Sequence, residues 1–105
     1  MSPAVPGGPT VEPVTGPADI ERTLKKYFRD GRLMVMPRSG VRRQVVLEHI
    51  VQLVEPGRRY TEIEMNRILR PVWDDVAALR RYLVDAALLD RKDGEYWRIG
   101  GPVEV

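Results

Sequence analysis

The feature that most constrains this chain is the stretch from Asp74 to Ala87. Val76, Leu79, Leu83 and Ala86 recur at helical spacing, so one stripe of a helix can bury. Asp74 or Asp75 can cap its start, where backbone N–H groups lack partners. Thr61-Glu62-Ile63-Glu64 upstream is a capping box that opens a shorter helix running to about Arg70, stopped by Pro71. Ile63, Ile68 and Leu69 are its expected buried positions, and Met65 is undecided. Downstream, the segments 88–91 and 95–99 read as two strands joined by Asp93-Gly94, a turn pair that tolerates positive φ.

Helix, short turn, second helix and hairpin is the order of a winged helix-turn-helix. The expected fold is mainly α with a small β-hairpin wing, about four helices and a two- to three-stranded sheet. In that fold the Asp74–Ala87 helix is the recognition helix and the hairpin is the wing.

The rest of the chain fits around this unit. Residues 1–17 are rich in Pro and Gly without apolar periodicity, which predicts a disordered tail. Residues 18–100 form the expected domain and 101–105 a C-terminal tail. Ala18–Phe28 reads as a helix with Ile20, Leu24, Tyr27 and Phe28 on one face, Asp19 as cap and Gly31 as its C-terminal breaker. The run 33–36 is a brief strand or an extended segment, with Met34 and Met36 as core fillers. Residues 41–54 form the most apolar helix, burying Val46, Leu47, Ile50, Leu53 and Val54, with His49 as a structural residue on its flank. A very short strand fits Arg58-Arg59-Tyr60, and Trp73 and Trp97 read as core-edge aromatics.

Composition excludes several functions. With no cysteine and one histidine, neither a disulfide framework nor a zinc site is expected. No glycine loop cradles a phosphate, and no nucleophile stands beside a base, so no enzyme activity, cofactor or metal is expected. Asp74 and Asp75 are neighbours on a helix and point about 100° apart, so they do not share a site. The apolar runs are too short to span a membrane and no signal-peptide pattern is visible, so a cytoplasmic protein without membrane partner is expected.

Net charge is only +2, but it is unevenly spread. Between Arg22 and Arg43, Arg22, Lys25, Lys26, Arg29, Arg32, Arg38, Arg42 and Arg43 face Asp30 as the sole acid. Such a patch attracts phosphates or acidic protein surfaces, unless it is simply a solvated face. Arg42 and Arg43 sit in a helix's first turn, against its dipole, which favours an outside anion. If DNA is the partner, the main contacts are expected from Arg22, Lys25, Lys26, Arg29, Arg38, Arg42 and Arg43, assisted by Arg58, Arg59, Arg81 and Lys92. The start of the recognition helix carries two aspartates, a poor phosphate surface. The alternative is a protein-interaction or dimerisation module, with a homodimer or another regulator protein as partner. Exposed Ala77 and Ala78 suit close approach of a helix.

The chain also resembles a bacterial winged-helix-like family known as domain of unknown function 2087. The residues carrying this are Tyr27–Leu33, Val45–Glu48, Glu55–Glu62 with Asn66 and Ile68-Leu69, then Asp74–Asp85, Leu88–Arg91 and Gly94–Trp97. The resemblance implies a role in transcriptional regulation and brings no catalytic residues. Where the family usually has glycine before the Leu-Leu pair, this chain has Ala87. If that position needs a left-handed backbone, alanine costs on the order of 1 kcal/mol; the alternative is a helix that ends differently here.

Overall fold

The computed structural model describes residues 16–38 and 40–102. Helix α1 (Pro17–Tyr27) begins at proline, whose fixed φ suits a first helical position. Its cap is Gly16, and Asp19 lies in the first turn, where its backbone oxygen accepts from the buried Thr23 hydroxyl at 2.9 Å. Asp19 therefore does not cap the helix. Ile20 is 39% exposed, while Tyr27 and Phe28 pack against the core from its edge.

Strands β1 (Phe28–Arg29) and β2 (Arg32–Leu33) follow as a tight antiparallel hairpin. Asp30 and Gly31 take φ of 53° and 80°, the paired left-handed geometry of a two-residue turn. Gly31 is thus a hairpin residue and not the end of α1. Leu33 is buried and its N–H donates to the Val72 carbonyl at 2.9 Å. Met34 then points outward, more than half exposed, which corrects its expected place in the core. Met36 packs against the core in part.

Helix α2 (Gly40–Val51) buries Val46, Leu47, Ile50 and Val51. It ends before Val54, and i to i+3 bonds close the following turn, with Leu53 donating to Ile50 and Val54 to Val51. This tighter turn breaks the 3.6-residue period. Val54 stays buried, whereas Leu53 is exposed, contrary to its expected place on the apolar arc.

Strand β3 (Arg59–Thr61) leads into α3 (Glu62–Leu69) through the expected capping box. Glu64 N–H donates to the Thr61 hydroxyl at 3.1 Å, and Thr61 N–H donates to the Glu64 carboxylate at 2.8 Å. Met65 and Leu69 are fully buried. Ile63 lies about 200° around the helix from Met65 and is exposed, so it is not a core residue.

Helix α4 (Val76–Asp85) is capped by Asp75, whose carboxylate accepts from Ala78 N–H at 3.0 Å. Val76, Leu79 and Leu83 are buried. Its end is a left-handed cap. Leu88 N–H bonds the Leu83 carbonyl, Ala87 N–H bonds that of Val84, and Ala87 sits at φ 60°. The position therefore has the backbone that glycine favours.

Strands β4 (Leu89–Lys92) and β5 (Glu95–Arg98) form the wing, with Asp93 and Gly94 at φ 53° and 79°. Strand β3 joins them in a three-stranded antiparallel sheet of order β3-β5-β4. Buried Tyr60 and Tyr96 pair across strands and place one sheet face against the helices. Arg98 closes the base, donating to the carbonyls of Val54, Gly100 and Pro102. Elements α2 to β5 form a winged-helix-like unit, to which α1 and the β1–β2 ribbon are added. Of the expected tails, residues 1–15 and 103–105 lie outside the described residues. Gly16 and Pro17 belong to the start of α1, and Arg98 holds Pro102 at the other end.

Candidate nucleic-acid interface

A cleft lies between α4 and the wing. Arg91 on β4 pairs with Tyr96 on β5, so its side chain shares the sheet face turned towards the helices. Arg80 and Arg81 project from α4 towards the same space. Together with Ala77, Val84, Asp85 and Tyr96 they line a cleft of about 380 Å³. Arg80 is mostly enclosed and holds three elements together. It donates to Asn66 on α3 at 3.0 Å and to the Tyr96 hydroxyl on β5 at 2.8 Å, and it lies 3.5 Å from Glu62. Arg81 and Arg91 are exposed and have no carboxylate within ion-pair distance among the described residues.

On the other side of α4, Tyr82 stacks against Trp73 at 6.4 Å and carries the Arg43 guanidinium 4.5 Å above its ring. Arg43 Nε also donates to the Pro37 carbonyl at 3.0 Å. Arg43 therefore ties α2 to α4. It carries positive charge up to the flank of α4, next to Arg42, which is exposed.

The aspartates at the start of α4 are less repulsive than their sequence indicates. Asp75 is committed to capping. Asp74 meets Arg32 at 2.8 Å, and this hydrogen bond and positive charge hold its carboxyl below the usual carboxylate value. The Arg32 contact comes from β2, so the short ribbon places a positive charge against Asp74 at the start of α4. Nothing in sequence spacing signals that pair.

The other expected contact residues lie on other elements or outside this cleft. Arg22 pairs with Asp19 at 3.1 Å. Lys25 and Lys26 occupy the last turn of α1, where cations complement the helix dipole, and Lys26 lies 5.8 Å from the Tyr27 ring. Arg29 and Arg38 are exposed, and Arg29 stands opposite Arg32 in the ribbon. Arg58 covers the Tyr60 ring at 4.8 Å, with Glu64 at 4.0 Å. It lines a separate, open depression of about 650 Å³ with Leu53 and Ile68. Arg59 lies on the outer sheet face, 4.1 Å over Trp97 and 3.7 Å from Glu95. Lys92 shares that outer face by register but also borders a second small cleft with Arg91, Gly94 and Glu62. Of the expected set, Arg81 and Lys92 thus border clefts that Arg91 also lines, while Arg22, Arg58 and Arg59 are engaged by carboxylates of their own chain. Arg80 and Arg91 complete the cluster and were not in the expected set.

His49 stands edge-on to Phe28 at 5.0 Å, and partial burial pushes its imidazole below the ordinary histidine value. Among the described residues no group of three or more His, Cys, Asp or Glu side chains could hold a metal ion, and no helix is long and apolar enough to cross a membrane.

Comparison with known proteins adds the family. No curated protein and no solved structure matches the chain. The family match begins at β2, so α1 and β1 lie outside it. Over residues 32–98 the chain matches the model described as "Uncharacterized protein conserved in bacteria (DUF2087)", and it belongs to that family.

Proposed function

We propose that this chain is a non-enzymatic, cytoplasmic regulator-type module that binds duplex DNA through phosphate contacts made by α4 and the wing. The observation that carries this reading is the arginine-lined cleft between those two elements. In winged helices the second helix of the helix-turn-helix enters the major groove and flanking elements hold the backbone. Here that helix presents small Ala77 and cationic Arg81, and the wing presents Arg91 beside them. Contacts of this kind position a protein on the duplex and carry little sequence information.

A fluorescent mixed-sequence duplex titrated at about 20 and about 150 mM salt tests it, because phosphate contacts strengthen as salt falls. Binding that weakens steeply between the two conditions supports the reading, and no binding at the lower salt overturns it. The open depression around exposed Leu53, with Pro56, Tyr60 and Ile68, favours a second reading as a protein-interaction module. Light scattering on the same samples reports a homodimer directly.

A further inference from the structure

Arg80 is held differently from the arginines beside it. Its side chain is only 14% exposed, against 55% for that of Glu62. Nε donates to Asn66 Oδ1 at 3.0 Å and Nη1 to the Tyr96 hydroxyl at 2.8 Å. Glu62 stands 3.5 Å from the same Nη1. Nη2 makes no hydrogen bond among the described residues. A guanidinium offers five donors and no acceptor, and one this enclosed gains from an anion that takes its open edge. Two more arginines, Arg81 and Arg91, line the cleft that Arg80 borders. Its volume of about 380 Å³ is more than ten water volumes, room for a phosphate group and its remaining waters.

We infer that the α4–wing cleft is a preformed seat for a single phosphate group, with Arg80 as the fixed donor, Arg81 and Arg91 as closing cations, and Glu62 as a resident competitor. The inference rests on the DNA reading for the source of that phosphate, a backbone diester. Asn66 and Tyr96 are positioning residues: they set the plane of the Arg80 fork before any anion arrives, so little rotamer freedom is lost on binding. Glu62 already lies beside one edge of the fork, so an incoming phosphate works against an existing attraction. Asp85 lines the same cleft and also opposes a second anion. These two carboxylates keep the seat weak for a free ion and leave it to a phosphate that is held by other contacts as well.

The full chain, labelled with ¹⁵N, is titrated with inorganic phosphate against chloride at matched ionic strength, reading the Arg80 Nε–H resonance and the amides of α4 and the wing. A saturable shift at Arg80 is expected, with an apparent Kd that falls about two- to fivefold in Glu62→Gln, the range for losing one partly exposed ion-pair partner. Duplex affinity rises by the same factor in Glu62→Gln and falls in Arg80→Lys, which keeps the charge and loses the fork. Thermal melts of both variants separate binding from folding, and Glu62 is exposed enough for its variant to fold. No saturable shift at Arg80 below about 50 mM phosphate overturns the seat, as does an equal shift at every exposed arginine, which marks non-specific ion pairing. If Glu62→Gln leaves duplex affinity unchanged while Arg81→Ala with Arg91→Ala lowers it, the seat is rejected and the DNA reading stands. Saturation by phosphate without duplex binding rejects the DNA reading and retains the seat for a phosphate from another source.

Discussion

Two regions of this molecule are rich in basic residues, and they differ in what the fold does with them. The stretch from Arg22 to Arg43 is the more positive in sequence, yet its side chains are spread over α1, the β1–β2 ribbon and the start of α2. Arg22 answers Asp19, Arg32 answers Asp74, and Arg43 is stacked on Tyr82. The α4–wing region has fewer cations and nearby acids, but Arg80, Arg81 and Arg91 converge on one cleft. Charge density along a chain is therefore a poor guide to charge density in space. Convergence decides binding, because a phosphate responds to the cations within a Debye length of it, about 8–10 Å at moderate salt.

The sharpest way to break this comparison is to remove charge from each region in turn. Arg81→Ala with Arg91→Ala is expected to weaken duplex binding on the order of tenfold at low salt and to reduce the slope of log affinity against log salt by about 2. Lys25→Ala with Lys26→Ala removes the same formal charge and is expected to change affinity by less than about threefold, since screening weakens distant charges. Equal losses from the two pairs in fluorescence titrations would return the main contribution to the upstream patch. Arg43 sharpens the contrast on the side of stability. Arg43→Ala loses a cation over Tyr82 and a charged hydrogen bond to Pro37, and is expected to cost about 1–2 kcal/mol in denaturant unfolding. An unchanged midpoint would mean that Arg43 is a free surface charge after all.

The same contrast shows what could be read without coordinates. The capping box, the wing turn at Asp93-Gly94 and the buried stripe of α4 are local patterns, and each is found where the residues place it. The equivalent Asp30-Gly31 turn is hidden in the sequence, where Gly31 looks like a helix stop, because its strands are two residues long and give no alternation. Ile63, Leu53 and Met34 escape the expected periods because Ile63 lies in the first turn of α3, Leu53 in the tightened turn after α2, and Met34 just past the two-residue strand β2. The candidate site was less legible than the fold. Arg81 and Lys92 are legible as exposed cations, but Arg80 reaches Asn66, Tyr96 and Glu62 across three elements, and Arg91 joins it only through the sheet register. Asp74 looked repulsive because its partner Arg32 is distant in sequence.

Two smaller effects test the scaffold that aims the cleft. Ala87→Gly relieves a side chain at φ 60° between α4 and the wing and is expected to stabilise by about 0.5–1 kcal/mol. A loss of stability in urea melts would show that Ala87 is not strained there. His49 gives the smallest effect. Its folded-state affinity for protons is lowered, so below about pH 6.5 the unfolded chain binds a proton more readily and stability falls as pH drops towards the folded value. His49→Gln is expected to remove that part of the pH dependence, measured as melting temperature between pH 7 and 5, and an identical profile in both proteins would contradict it.

The most direct test of the proposed DNA contact is amide chemical-shift mapping of the ¹⁵N-labelled protein with a short duplex at low salt. Shifts centred on Ala77, Arg81, Asp85 and the wing from Arg91 to Gly94 are predicted. Shifts confined to α1 and the start of α2, or none at saturating duplex, would contradict the account.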